Sequence, residues 1–400
     1  MNNKIKFIIL ILFTSIIIMP YTYGVDITTE IINETEKSFG INEFISETNE
    51  YTGEFFEDIS ISDVLNSAIS GKVDNSTFVK KILNIFGKEI VSSIKTLIAI
   101  LVVVLIHSIL KTIADGLETS NVSGIIYYVQ YILIVTIVMS NFSGILTSIT
   151  NTVNNLVGFM NTLVPLLITL MIYTGNIVTS GLLEPMLLFI IEFVGNTIIT
   201  IVIPLISAIT ALIIISKISD RVQIGKLAKF MKSSIVWFLG IILTVFVGVL
   251  SLEGTLTSSV DGITAKTAKA AVSSLIPVVG KILGDSVDSV LGCGLVLKNA
   301  LGVVGVIVII GICIMPIIKL SILSIIYSIS SAVIEPLADE KIVKLLEEFS
   351  GIFKLLLAIV CSVSVLLIIG TTLVVKISNS GMMYRWWSLL VLGLKELQLQ

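Results

Sequence analysis

Hydrophobic positions along this chain come in long blocks, not in the one-faced stripes of soluble helices or the alternation of strands. Residues 7–19 form the first block, behind Lys4 and Lys6 and ahead of Pro20, Thr22 and Gly24. A charged start, a short apolar run and small residues after it predict a signal peptide over residues 1–24, cleaved after Gly24. The alternative is an uncleaved anchor, although the run is short of the ~20 residues a spanning helix needs. Residues 25–76 are acidic and rich in Asn and Thr, yet hold Phe39, Phe44, Phe55, Phe56, Val64 and Leu65. They predict a small exported segment with a short helix from Asp63 to Ser70, stopped at Gly71.

The membrane domain is expected over residues 77–400. Ser76 can cap an amphipathic helix over 76–88, where Phe78, Val79, Ile82, Leu83 and Phe86 recur at helical spacing. Lys80, Lys81 and Lys88 lie on or near its other face, so it can lie flat at a membrane interface. Residues 97–110 hold 11 Leu, Ile or Val, which favour insertion by about 3 to 7 kcal/mol. From Thr119 to Leu183 there are 65 residues without a charge. As one helix they would run about 98 Å, so a turn back is expected at Asn151, Asn154 and Asn155 and another at Gly175–Asn176. Spans follow near 125–146 and 156–174. Residues 182–216 are too long for one span and predict two short or broken helices, interrupted at Asn196, Thr197 and Pro204.

Residues 233–252 and 355–375 are uncharged and read as clear spans. Residues 299–334 read as one tilted helix or two short ones, around Pro316 and Lys319. Residues 382–397, with Arg385, Trp386 and Trp387 ahead of four leucines, predict an interfacial tail helix. The fold class is all-α: a polytopic transmembrane bundle of seven or eight spans, with room for broken or re-entrant helices.

Composition agrees. Hydrophobic residues are 55% and charged residues 13%, against about 25% charged in an ordinary soluble chain. Charge is unevenly placed, with 12 acids and 5 bases in residues 25–88. Residues 217–232 reverse this with Lys217, Arg221, Lys226, Lys229 and Lys232 against the single acid Asp220. The positive-inside rule makes this loop cytoplasmic. Lys80, Lys81, Lys88 and Lys95 pull residues 76–95 the same way, against the signal peptide; the signal peptide and the basic loop outweigh them. No large basic face exists for nucleic acid.

Candidate chemistry is sparse. Glu184 and Glu192 sit eight apart on one apolar segment, and intramembrane carboxylates often mark ion or proton paths. An interfacial Glu184 and a hydrogen-bonded Glu192 are the plainer alternative. His107 reads as a helix–helix hydrogen-bonder before a ligand, and Lys319 as a snorkelling base or the mark of a break. Cys293, Cys313 and Cys361 are scattered, with no disulfide or zinc spacing. Asp285 and Asp288 are too few for a metal site. No phosphate loop, nucleophile elbow or zinc-protease motif occurs, so no enzyme activity, metal or cofactor is expected.

Residues 254–300 are the most distinctive stretch, rich in Gly, Ala, Ser and Thr, and Gly280 and Gly284 form a small-xxx-small pair suited to close helix packing. A re-entrant hairpin and an extracytoplasmic loop with two amphipathic helices fit it equally. The run SLEGTLTSSVDGITAKTAKAAVSSLIPVVGKILGDSVDSVLGCGLVLKNALG, residues 251–302, resembles the signature region of the stage III sporulation protein AE family. The resemblance implies a non-enzymatic multi-pass component of a channel-like or secretion-like complex in the mother-cell membrane around the forespore. It implies as partners other membrane proteins of one sporulation operon, a cytoplasmic secretion-type ATPase and a forespore membrane protein. It carries no catalytic residues. The rival from the residues alone is a stand-alone transporter using Glu184, Glu192 or Lys319.

Overall fold

The computed structural model describes residues 40–71, 75–116, 120–218, 224–275 and 280–397; for Glu54, Asn75, 114–116, 120–124, 251–291 and 377–397 only the backbone is described. Among these residues every regular element is helical. Two short helices, α1 (Ile41–Tyr51) and α2 (Ile61–Ile69), flank a 3-10 turn at Gly53–Phe56. Long helices follow: α3 (Asn75–Gly116), α4 (Ser120–Tyr173), α5 (Ile177–Thr197), a π turn at Ile198–Val202, α6 (Ile203–Ile218), α7 (Gly225–Leu275), α8 (Gly280–Ile334) and α9 (Glu340–Leu397).

The amino-terminal helices α1 and α2 fold against the bundle because their few apolar residues share one face. In α2, Ile61, Val64, Leu65 and Ala68 are buried, the i, i+3, i+4, i+7 stripe of a surface helix. The helix begins two residues ahead of the expected Asp63 and stops where Gly71 turns left-handed at φ 68°. In α1, Ile41 and Phe44 are buried, and Phe44 meets Phe159 of α4 with ring centroids 6.2 Å apart. Phe55 and Phe56 pack edge to face at 5.2 Å.

Six helices among the described residues are long and apolar enough to cross a membrane: Ser76–Ile113, Ile125–Tyr173, Ile177–Ile218, Gly225–Leu250, Gly292–Ile334 and Glu340–Lys376. Against the seven or eight spans expected from sequence, length and composition give these six candidates among the described residues. Asn151, Asn154 and Asn155 make no turn, because α4 runs straight through them. The amphipathic stretch 76–88 is not a separate interfacial helix either: it is the first part of α3, and Phe78, Ile82 and Ile85 pack on the bundle core. The tail 382–397 is likewise the end of α9, with its side chains outside the described residues.

The turn at Gly175–Asn176 is present. Gly175 has φ 88°, and Asn176 N–H donates to Met171 O at 2.9 Å, the six-to-one bond of a Schellman stop. The expected interruption near Pro204 is a π turn rather than a break. Proline has no N–H for Thr200 O and its ring crowds that carbonyl; one extra residue per turn relieves both.

α8 and α9 form the central hairpin. Their most apolar windows are 72% and 78% buried, against 22% for α3 and α7. Tyr327 and Phe353 stack their rings at 5.0 Å, and Ser350 Oγ donates to Ser324 O at 2.8 Å. Glycines let α8 approach its neighbours: a β-carbon on Gly302 would overlap Val375 of α9, and one on Gly305 would overlap Leu163 of α4. Membrane helices gain no water-driven attraction for each other, so such close packing is what holds them. The peripheral helices expose Ile106 and Ile109 of α3 and Phe230 and Trp237 of α7, as a lipid-facing surface requires. Residues 254–300 are carried by two long helices, the end of α7 and the start of α8; the surroundings of Gly280 and Gly284 lie outside the described side chains.

Candidate functional site: a polar cavity and seam in an apolar bundle

Several charges of the membrane domain gather at one end. Lys111 of α3 bonds Asp339 at 2.7 Å, and the buried His107 places Nε2 3.4 Å from the same carboxylate. Lys232 of α7 bonds Glu348 of α9 at 2.7 Å. Tyr127 OH donates to Lys217 O at 3.0 Å, and Lys341 Nζ lies 5.8 Å over the Tyr127 ring. Thus the end of α3, the starts of α4, α7 and α9 and the end of α6 are tied together in water-accessible chemistry.

One hydrocarbon thickness is about 20 residues of helix. Counting that far from the charged end leads from Lys111 to Val91, from Tyr127 to Thr147 and from Ile334 to Ile314. All three counts end within a few residues of one cavity of about 640 Å³ between α3, α4 and α8. Residues 51–53 and Phe55 close one side. The α4 wall is Thr147, Ser148, Asn151, Thr152 and Asn155, of which Asn151 and Asn155 suggested a turn in the sequence. α8 adds Met315, Pro316 and Lys319, and α3 adds Glu89. Pro316 sits inside an unbroken helix, so Lys319 marks a polar wall and not the end of a span.

A polar seam continues from the cavity along the outside of α4. Between Leu133 and Ile172, every exposed residue of α4 is polar or glycine: Thr136, Ser140, Ser143, Gly144, Thr147, Asn151, Asn154, Asn161 and Thr169. Their spacing keeps them on one face. Asn161 Nδ2 donates to Glu192 Oε1 of α5 at 2.7 Å, and Asn196 and Thr200 extend the exposed polar run into the π turn. Thr200 Oγ1 donates to Asn196 Oδ1 at 2.8 Å. Hydrocarbon offers such groups no partner, so this face meets water or another protein.

The residues singled out from sequence are dispersed. Glu192 joins the seam; Glu184 is half-buried on α5 away from it; His107 belongs to the charged end; Lys319 lines the cavity. Lys217, Lys226 and Lys229 line a second, smaller cavity at the charged end together with Glu348, the partner of Lys232, while Arg221 lies outside the described residues. Among the described residues no three His, Cys, Asp or Glu could share a metal. Sequence reasoning missed Glu89, hidden among the lysines of the α3 start, and missed that the α4 polar residues share one helical face; their 3-4 spacing was the available signal.

These features define a multi-pass helical membrane protein whose polar groups converge on a cavity and a seam. The family model for Stage III sporulation protein AE matches residues 59–378, and the chain belongs to that family. It is 28% identical over 308 residues to the Stage III sporulation protein AE of Bacillus subtilis (strain 168), covering 77% of each chain. No solved structure matches it.

Proposed function

We propose that this chain is a non-enzymatic component of a conduit-forming complex in the mother-cell membrane around the forespore, serving forespore maintenance and late gene expression. The observation that carries the reading is the seam: about 57 Å of helix between Leu133 and Ile172 with no large apolar side chain exposed, in a helix otherwise apolar enough to span a membrane. A lone monomer in lipid would leave it unsatisfied; in an assembly it lines the aqueous path or a protein contact beside it. Membrane proteins of the same operon, a cytoplasmic secretion-type ATPase and a forespore membrane protein are the proposed partners. The signal peptide puts residues 25–76 between the two membranes, and three crossings (α3, α4 and α5–α6) then put the basic loop in the cytoplasm, in accord with its charge.

Single cysteines test this in the intact membrane assembly. The native Cys293, Cys313 and Cys361 are buried, so background labelling is low. Asn154→Cys, Asn161→Cys and Asn196→Cys should react with a membrane-impermeant thiol reagent or cross-link to a partner, while Ile132→Cys and Trp237→Cys should stay unlabelled. Seam cysteines as inert as the lipid-facing controls, and without cross-links, would remove the conduit reading.

A further inference from the structure

Two charges of opposite sign line the cavity between α3, α4 and α8, Glu89 and Lys319, and they are its only charged lining residues among the described side chains. Both are part-buried. Among the described residues neither has a hydrogen-bond or ion-pair partner, whereas Lys81, Lys111 and Lys232 each have a carboxylate partner. Burying a charge without a partner is costly, and two unpaired opposite charges facing one space are more costly still than the pair they could form. The cavity holds them apart instead. The rest of the polar wall is neutral: three hydroxyls and two carboxamides from α4.

We propose that this cavity is a binding site for a small zwitterion, with Lys319 meeting its oxyanion and Glu89 its ammonium group. Net charge selects the class. A site carrying one cation and one anion leaves a charge unmatched against any simple anion or cation, and only a ligand with both satisfies it. The hydroxyls and amides of Thr147, Ser148, Asn151, Thr152 and Asn155 then solvate the remainder of the ligand. About 640 Å³ is ample for a free amino acid or a short peptide and lies within the range of small-molecule sites. The cavity lies about one hydrocarbon thickness from the charged end, so two sources share the chemistry: a dissolved amino acid and the headgroup of phosphatidylethanolamine. The site goes beyond the conduit reading and does not depend on it, since it is complete within one chain.

The full chain in nanodiscs of phosphatidylglycerol alone, which offers no zwitterionic headgroup, incubated with a labelled mixture of neutral L-amino acids, tests the first source. Saturable binding is expected, displaced by unlabelled amino acids but not by their N-acetyl or amide derivatives, each of which lacks one charge. Lys319→Met and Glu89→Gln should each weaken it at least tenfold, and Lys319→Arg should retain it within a few-fold. Nanodiscs containing phosphatidylethanolamine test the second source: native mass spectrometry should then find that lipid retained by the wild-type chain and lost from both neutral variants. Either result supports the site and names its source. Competition by the singly charged derivatives as strong as by amino acids, or neither amino-acid binding nor retained lipid, would overturn it. Labelling of seam cysteines is unaffected by either result, so failure of this site and failure of the conduit reading are separable.

Discussion

Gly311 of α8 lies directly beneath the ring of Phe56, so close that a β-carbon there would overlap the ring. The segment 41–71 is therefore docked on the bundle through a contact only glycine permits. Gly158 of α4 makes the same kind of seat for Tyr51. The two seats lie on either side of the turn that closes the cavity.

Gly311→Leu should lift Phe56 from its seat. Overpacking of this kind costs about 1–3 kcal/mol, enough to raise the undocked population roughly 5- to 150-fold if the bundle itself holds. Limited proteolysis should then cut within 41–71 much faster than in the wild-type chain, while the membrane fragment survives intact. Unchanged cleavage would mean that the segment is held elsewhere.

Asp339 serves two partners from different depths of α3, Lys111 at 2.7 Å and His107 at 3.4 Å. Lys111→Met removes a half-exposed pair and should cost about 1 kcal/mol or less. Asp339→Ala also strips the only carboxylate beside the buried His107 ring and should cost more, about 1–3 kcal/mol. Thermal unfolding in a mild detergent should rank the variants in that order, and equal melting temperatures would deny His107 any share in the contact.

Glu192 and Asn161 join two helices across the seam at 2.7 Å. Glu192→Gln keeps an acceptor for the Asn161 amide and should leave spore formation near normal. Glu192→Leu removes it and makes the face more lipid-like, so complementation of a deletion strain should fall while protein level in the membrane holds. If Glu192→Gln is as defective as Glu192→Leu, the charge itself matters, and a proton- or ion-coupled role for Glu192 gains ground over a wall of the path.

How much of this was legible in the chain depends on what a polar residue was facing. Gly175 was readable because a left-handed stop needs glycine, whatever surrounds it. The buried stripe of α2 was readable because its apolar residues repeat at helical spacing. Asn151, Asn154 and Asn155 misled because hydropathy records only that a residue seeks polar surroundings. A loop and a cavity wall satisfy that demand equally, and choosing between them needed α8 and the segment 41–71 in place. Pro204 told that the helix is disturbed but not how, since a π turn and a break answer the same missing N–H. Glu89 carried no local signal: its importance arises from Lys319, 230 residues away.

Small residues on α8 supply the last prediction. The pair Gly280 and Gly284 attracted notice first, but among the close approaches in the described bundle are those of Gly302 and Gly305, which seat Val375 of α9 and Leu163 of α4. A leucine at either position must displace that neighbour from its contact with α8. Because the interior is close-packed, the neighbours have little room to yield. Gly302→Leu and Gly305→Leu should each lower the yield of monodisperse protein in detergent and reduce its melting temperature, by a cost of about 1–3 kcal/mol or more. Gly240 of α7 faces open space, and Gly240→Leu, on the lipid-exposed side, should do neither. If all three variants behave alike, glycine on α8 reflects composition and not packing. If only the α8 pair fails, and Gly280→Leu spares the monomer while weakening co-purification of partner proteins, then the inner glycines build the chain and the outer pair builds the assembly.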